Sequence, residues 1–289
     1  MTIRIGIIGD VHLHFNQRDV DYFNASDYSL LLFVGDLVNY RSTRLLLMGD
    51  MLGRLTKPVY MIPGNHDGTS ILQLLAEITD QSWLRNLSHV GSHNRVRLMT
   101  TGLSRLTLCG YSLHPFEFGD IRFDVIAARP HAMGGGKLSF PRQIKRDYGV
   151  ASMQQSTERL INLVESSTAE RIIFLAHNGP TGLGHRRNDI WGCDFRRAEG
   201  DFGDPDLRTA IDAARNKGKT VSAVVAGHMH HHLKGGGIRT WHLQRDNTHY
   251  INAARVPRIE SSGESSVHHH ICLELTETNA TIEAMAISY

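Results

Sequence analysis

Five short apolar runs, each followed closely by a side chain that can bind a metal, constrain the fold of this chain more than any other feature. The first run, Ile3–Ile8, is rich in β-branched residues, as expected of a strand buried on both faces. The residues that follow the five runs are Asp10 and His12, Asp36, Asn65 and His66, His177, and His228 and His230. Polar turns and helical patterns separate the runs, which predicts an α/β fold with a largely parallel sheet.

The segments between and after these runs allow a coarse assignment. Helical spacing and end signals predict helices at about 43–56, 70–79, 153–166 and 205–217. Alternating patterns predict further strands at 95–100, 105–109, 121–127, 240–243, 248–252, 269–275 and 281–287. The polar segment 13–27 and the glycine-rich, basic segment 178–203 are expected to be loops, the second of a length that is usually functional.

Composition excludes several classes of protein. The 289 residues carry 31 basic and 29 acidic side chains, a net charge of +2, so no avid binding to nucleic acid is expected. No apolar run approaches the ~20 residues of a membrane span, and we expect no membrane association. No targeting segment is recognisable and the three cysteines are scattered, which favours a cytoplasmic protein with reduced thiols. Without repeats or linkers, residues 1–289 are expected to form one domain.

The donors at the run ends are expected to meet in space, because the carboxyl ends of parallel strands lie along one edge of a sheet. They supply oxygen and imidazole ligands but no thiolate, which suits Mn, Fe, Zn or a similar divalent ion. About eight donors are too many for one tetrahedral zinc ion but enough for two ions roughly 3.5–4 Å apart that share a carboxylate. The sequence therefore predicts a centre of two divalent metal ions.

The motifs Asp-x-His, Gly-Asp, Gly-Asn-His-Asp, a later His and Gly-His-x-His occur in this order between residues 5 and 230. In this the chain resembles the calcineurin-like metallophosphoesterases. The resemblance implies two mixed β-sheets packed face to face with helices on the outside, a four-layer α/β/β/α sandwich. It also implies that Asp10, His12, Asp36 and His230 bind one metal, and that Asp36, Asn65, His177 and His228 bind the other. Asp36 would then bridge the ions, and His66 would face the substrate.

A mechanism follows from this centre. Two cations lower the pKa of a bridging water, so that hydroxide exists near neutral pH and can attack phosphorus. The same cations neutralise charge on the phosphoryl oxygens. The departing alkoxide needs a proton, and His66 is the candidate donor. Asp67 either orients His66 or fixes the turn that carries it, and the sequence leaves both roles open.

The run from Gly35 to Arg41 departs from a family pattern. Many phosphatases of this family have Gly-Asp-x-Val-Asp-Arg-Gly here, whereas this chain has Asn39 in place of the acid, and Arg41 falls one position late. This departure weakens an assignment as a phosphoprotein phosphatase. Arg18, Arg41 and Arg186 are candidate phosphate-binding residues by charge, with a solvated surface role as the alternative.

The sequence therefore predicts a metal-dependent phosphoric ester hydrolase that acts on a phosphorylated small molecule or nucleotide. Its motifs resemble bacterial phosphodiesterases, including cyclic-nucleotide enzymes, somewhat more than protein phosphatases. A phosphomonoesterase acting on a nucleotide, sugar phosphate or phosphoprotein is the close alternative; a nuclease and a non-catalytic scaffold are more distant ones. Four further histidines (His14, His114, His131 and His185) are expected to lie outside the site.

Overall fold

The computed structural model describes residues 1–40, 43–79, 83, 91–196 and 198–289, and the strands of these residues form two mixed β-sheets. The seven-stranded sheet contains β1 (Ile3–Ile8), β2 (Leu30–Phe33), β3 (Val59–Met61), β4 (Thr107–Leu108), β11 (Ile259–Ser262), β12 (Ser265–Leu275) and β13 (Ala280–Ser288). The six-stranded sheet contains β5 (Ser112–Phe118), β6 (Ile121–Ala127), β7 (Arg171–Leu175), β8 (Thr220–Ala226), β9 (His242–Arg245) and β10 (Thr248–Asn252).

Each sheet has a parallel centre with antiparallel strands added to it. Strands β1, β2, β3 and β4 are parallel neighbours, and β12 pairs antiparallel with β1. In the other sheet β6, β7, β8 and β10 are parallel, and β5 and β9 flank them antiparallel. The described helices are α1 (Gln17–Ala25), α2 (Arg44–Leu52), α3 (Ile71–Thr79), α4 (Ser92–Gly102), α5 (Pro141–Tyr148), α6 (Met153–Ser166) and α7 (Pro205–Asn216).

Alternation along the central strands produces the layers. Ile173 and Leu175 of β7 join a buried cluster with Ile5 and Ile7 of β1, so the two sheets pack face to face. Ile172 and Phe174, which point the other way, pack with Leu160 of α6 and Ile211 of α7. On the opposite side, Leu31 and Phe33 of β2 pack with Val20 of α1 and Leu45 of α2. The predicted four-layer α/β/β/α sandwich is therefore confirmed.

The expectation of a single convergent sheet edge was wrong in one respect. The donor-bearing runs are divided between the sheets: β1, β2 and β3 lie in one, and β7 and β8 lie in the other. The donors still meet, because the two sheets share a core and bring the carboxyl ends of their parallel strands to the same end of the sandwich.

Several local predictions also differ from the structure. Residues 17–25 of the expected loop form α1, whose capping box joins Asn16 and Asp19. Residues 95–100 lie in α4 rather than in a strand, with Met99 buried against the core that α2 covers. The helix predicted at 43–56 ends at Leu52, and β5, α5 and β11 were not predicted. Among the described residues, no helix has the length and apolarity needed to cross a membrane.

Candidate metal centre

The loops after β1 and β2 carry the first donors in an unusual backbone conformation. Asp10, His12 and Asp36 have φ angles of +36°, +44° and +50°, and His228 after β8 has +68°. Non-glycine residues seldom adopt the left-handed region, and such strain concentrates at functional sites. The His12 amide donates to the Asp36 carbonyl at 2.8 Å, which joins the two loops. In this conformation the four side chains lie in the two groups of candidate ligands described below.

The turn after β3 packs directly against Asp36. The amide of His66 donates to Oδ1 of Asp36 at 2.8 Å. A β-carbon on Gly64 would lie 2.2 Å from that same oxygen, so only glycine fits there. The Asp67 carboxylate accepts hydrogen bonds from the amides of Gly64 and Leu37, each at 2.9 Å. These contacts lock the Gly-Asn-His-Asp turn to the Gly-Asp loop.

Six of the predicted ligands form two compact groups. Asp10, His12 and His230 make one group, and Asp36, His177 and His228 make the other; in each, the candidate ligand atoms lie within 4.8 Å of one another. Asn65 joins the second group, with Oδ1 2.9 Å from Nε2 of His177 and 2.9 Å from Nδ1 of His228. Asp36 lies between the groups, because its Oδ2 is 3.9 Å from Nε2 of His12 and its Oδ1 is 3.6 Å from Nε2 of His177.

The contacts of His177 test whether a cation fits this group. Its Nδ1 lies 2.6 Å from the carbonyl of Val34, and its Nε2 faces the amide oxygen of Asn65. Both partners are acceptors, whereas a neutral imidazole has one N–H to donate. Burial lowers the pKa of His177, so the ring is neutral. Two lone pairs therefore face each other at 2.9 Å, an arrangement that a shared metal ion stabilises, since ligand atoms about 2.1 Å from one ion lie about 3 Å apart.

Unpaired polar atoms indicate that a cation also fits the group of Asp10, His12 and His230. Oδ2 of Asp10 and Nε2 of His12 are buried and have no hydrogen-bond partner in the structure, although Nε2 of His230 approaches this Asp10 oxygen to 3.4 Å. Buried polar atoms without partners are rare and call for an explanation such as a bound ion. The imidazole Nδ1 of His12 donates to Oδ1 of Asn39 at 2.6 Å, which leaves Nε2 with a free lone pair.

The carboxylates of Asp10 and Asp36 lack a permanently charged cationic partner among the described residues. In the described part of the chain, the ion-pair contacts of Asp10 and Asp36 are with histidines, and no lysine or arginine pairs with either. Burial, together with the charges of Asp10 and Asp67, raises the pKa of Asp36 well above its usual value. Burial also lowers the pKa of His228 to about 3, so its ring is neutral and can bind a metal. The donor set therefore fits two divalent cations.

His66 lies beside the two groups rather than within either. Its side chain is 20% exposed, and its Nε2 is 3.7 Å from Oδ2 of Asp36. The imidazole stacks on the ring of Tyr40, with centroids 3.8 Å apart, and meets the ring of His12 edge-on at 4.8 Å. Burial lowers the pKa of His66 to about 2.

Three residues of the site were missed from the sequence. Asn39 contacts His12, and Tyr40 stacks on His66. One clue to their role was present in the sequence, which was that Asn39 replaces an acid that the family pattern has at this position. His131, expected outside the site, is buried, with its Nδ1 2.8 Å from the Gly64 carbonyl, where it supports the turn. No sequence pattern would have distinguished it from the other histidines.

Two of the three candidate phosphate-binding arginines, Arg18 and Arg186, lie in the described part of the chain. Arg18 on α1 donates to Oγ of Ser266 and lies over the ring of Tyr289. Arg186 is exposed in the 178–203 loop, where its amide donates to Asp189. Arg41 lies outside the described residues. The structure thus provides no contact that favours a substrate role for Arg18 or Arg186.

Comparisons with known proteins address the fold and the family of the chain. One crystal structure resembles the chain with a TM-score of 0.57 and 11% identity, over 98% of this chain and 99% of that chain. Two other structures are less similar. One is a dimetal phosphatase from Danio rerio, with a TM-score of 0.45 and 11% identity over 97% of this chain and 98% of that chain. The other is an archaeal phosphodiesterase, with a TM-score of 0.39 and 11% identity over 99% of this chain and 100% of that chain. Comparison with curated proteins gave no match. Residues 3–232 match the family model for calcineurin-like phosphoesterases. This confirms the resemblance seen in the motifs: the chain belongs to the calcineurin-like phosphoesterase family and is a metal-dependent phosphoric ester hydrolase.

Proposed function

We propose that the protein hydrolyses phosphodiesters at a centre of two divalent metal ions, Mn, Fe or Zn. Asp10, His12, Asp36 and His230 would bind one ion, and Asp36, Asn65, His177 and His228 the other. The observation that carries this assignment is the contact between Nε2 of His177 and Oδ1 of Asn65, because two facing acceptors 2.9 Å apart are stabilised when both bind one cation. The position of Asp36 between the two groups supports its role as the shared ligand.

Two divalent ions, when bound, would supply a water of lowered pKa and positive charge for the phosphoryl oxygens. The protein's own part is to hold its imidazoles neutral, with their lone pairs toward the centre. The carbonyl of Val34 fixes the tautomer and direction of His177, and Asn39 does so for His12, while burial favours the neutral form of both rings. The strained loops and the close approach of Gly64 fix the carboxylates in place before any ligand arrives.

We assign His66 as the donor of a proton to the departing oxygen. It lies beside both groups, is partly exposed, and is not needed to complete either ligand set. A bound phosphate would raise the low pKa of its imidazole, because a neighbouring anion favours the imidazolium form. Of the two roles open to Asp67, we favour fixing the turn, since its carboxylate accepts from the amides of Gly64 and Leu37.

The preference for diesters rests on the residue four positions after Asp36. Many phosphatases of the family carry an arginine there, and this chain carries Tyr40, whose uncharged ring lies against His66. A phosphodiester has one negative charge and a monoester up to two, so an uncharged side chain at this position favours the diester. We accordingly propose a phosphodiester of a small molecule or nucleotide as the substrate.

The test combines metal analysis with kinetics. The purified protein, loaded with Mn²⁺, is expected to bind two ions per chain and to turn over bis-p-nitrophenyl phosphate faster than p-nitrophenyl phosphate. Faster turnover of the monoester would reject the diester preference and favour a phosphomonoesterase. A protein that binds one ion, or none, would reject the two-metal centre. Anomalous scattering from metal-loaded crystals would identify which side chains contact each ion.

A further inference from the structure

His66 differs from the other histidines of the centre in how its ring is held. His12 and His177 each place Nδ1 against an acceptor, Oδ1 of Asn39 and the carbonyl of Val34. Nδ1 of His66 is buried and has no hydrogen-bond partner in the structure, and its Nε2 is 3.7 Å from Oδ2 of Asp36, beyond hydrogen-bond distance. The orientation of the His66 ring is therefore set by packing and not by a hydrogen bond.

The packing partner is Tyr40. The two rings stack with centroids 3.8 Å apart and 27° between their planes, while the His12 ring meets His66 edge-on with an interplanar angle of 81°. Stacked and edge-on contacts each restrict the rotation of a ring that has no hydrogen bond to restrict it. Together they leave the imidazole little freedom to turn away from the centre.

The backbone at Tyr40 is strained to present this ring. Tyr40 has a φ angle of +56°, a left-handed conformation that bulky residues rarely adopt. Its hydroxyl lies 3.4 Å from Nδ2 of Asn65, on the turn that also carries His66. Strain that persists at a site indicates that the surroundings require the conformation. Here the strained residue is the one that supports the proposed proton donor.

We propose that Tyr40 is a positioning residue that fixes the His66 imidazole for proton transfer by stacking on it. This inference rests on the proposed role of His66. The aromatic ring supplies the support, and the hydroxyl contact with Asn65 is secondary. Loss of the ring would let the imidazole rotate, so proton transfer to the leaving oxygen would slow while the metal ligands stayed in place.

The experiment compares two diesters with different leaving groups, methyl p-nitrophenyl phosphate and methyl phenyl phosphate. The poorer phenolate leaving group depends more on a proton donor. Tyr40→Leu is expected to lower kcat for the phenyl ester by about 10-fold or more, with a smaller loss for the nitrophenyl ester. Tyr40→Phe keeps the ring and is expected to retain the wild-type ratio between the two esters. Both variants should bind two metal ions per chain.

A double variant separates positioning from other effects. In a His66→Ala background, Tyr40→Leu is expected to cause no further loss, because there is no imidazole left to position. Losses that multiply in the double variant would overturn the inference, as would a Tyr40→Phe variant as impaired as Tyr40→Leu. Tyr22→Leu is the matched control, since Tyr22 also packs on a histidine, His270, in another part of the fold. It should leave the ratio between the esters unchanged.

The crystal structure of metal-loaded Tyr40→Leu gives a second readout that does not depend on chemistry. A rotated or disordered His66 ring would support positioning by Tyr40, and an unmoved ring would overturn it. If His66→Ala slows both esters equally, the proposed proton-donor role of His66 fails. The ring orientation in Tyr40→Leu would still decide whether Tyr40 holds His66 in place.

Discussion

The Nδ1 atom of His12 lies 2.6 Å from Oδ1 of Asn39, so the imidazole donates its proton to the amide and leaves Nε2 free for the group it forms with Asp10 and His230. Residues that orient a metal-binding histidine set both its tautomer and its direction. Asn39 is thus the partner that orients the His12 ring, although the two residues are separated by 27 positions in the chain.

Asn39→Leu is expected to weaken metal binding to the Asp10, His12 and His230 group by about 10–100-fold, because His12 loses its orienting acceptor. Calorimetric titration with Mn²⁺ should show one of two binding events weakened and the other unchanged. Asn39→Asp keeps an acceptor at the same place and is expected to bind both ions normally. Equal weakening of both events by Asn39→Leu would contradict this assignment.

Asp36→Asn should prevent binding of two metal ions per chain and abolish turnover. The Asp36 carboxylate approaches the imidazoles of both groups, at 3.9 Å from His12 and 3.6 Å from His177, and an amide cannot replace its charge between two cations. Elemental analysis after dialysis measures the metal content. Retention of two ions per chain would show that Asp36 is not the shared ligand.

Gly64→Ala is expected to disrupt the centre without a change of charge. The added β-carbon would lie 2.2 Å from Oδ1 of Asp36 and 2.6 Å from Cε1 of His177, so both ligands would have to move. We expect loss of metal binding by elemental analysis and a kcat at least ~100-fold lower, since small displacements of reacting groups have effects of this size. Gly136→Ala is the control, because a β-carbon there meets no atom within 4 Å. Activity in Gly64→Ala equal to that of the control would refute the steric argument.

The lowered pKa of the Asp19 carboxyl predicts that the free energy of unfolding depends on pH. Burial by itself would raise the pKa of its carboxyl, but the Arg258 guanidinium at 2.8 Å and the His268 ring at 2.9 Å hold that pKa below its usual value. A lowered pKa in the folded state contributes stability above the unfolded value of about 3.9, and this contribution is lost as pH falls through the folded value. Asp19→Asn should cost about 3–5 kcal/mol at pH 7, because it leaves the buried Arg258 without its carboxylate partner.

Urea unfolding at pH 7 and at steps down to pH 3 measures this difference. The gap in unfolding free energy between wild type and Asp19→Asn is expected to narrow below about pH 4, where wild type loses the stabilising charge. A constant gap over that range would contradict the lowered pKa. Glu117→Gln, which removes an exposed ion pair with Arg122, is the control and should cost no more than about 1 kcal/mol.

The fold class and the candidate donors could be predicted because each apolar run, and the motif that follows it, is recognisable in the local sequence. The apolar run Ile3–Ile8 predicts a buried strand, and Asp10 and His12 follow it within one turn. Residues 95–100 were misread because Arg95, Val96 and Arg97 alternate as in a strand. In the structure Gly102, at the end of α4, packs against Gly49 of α2, and this tertiary contact favours a helix there.

The sequence by itself determined which donors exist, their chemical type and their order, because each follows a strand that its own residues specify. Tertiary structure alone decided that these strands divide between two sheets, that Asn39 contacts His12, and that Tyr40 stacks on His66. The physical reason is that these relationships depend on packing between distant segments and on left-handed backbone angles, neither of which is encoded by periodicity. His177 and Asn65 meet across 112 positions only because the two sheets stack.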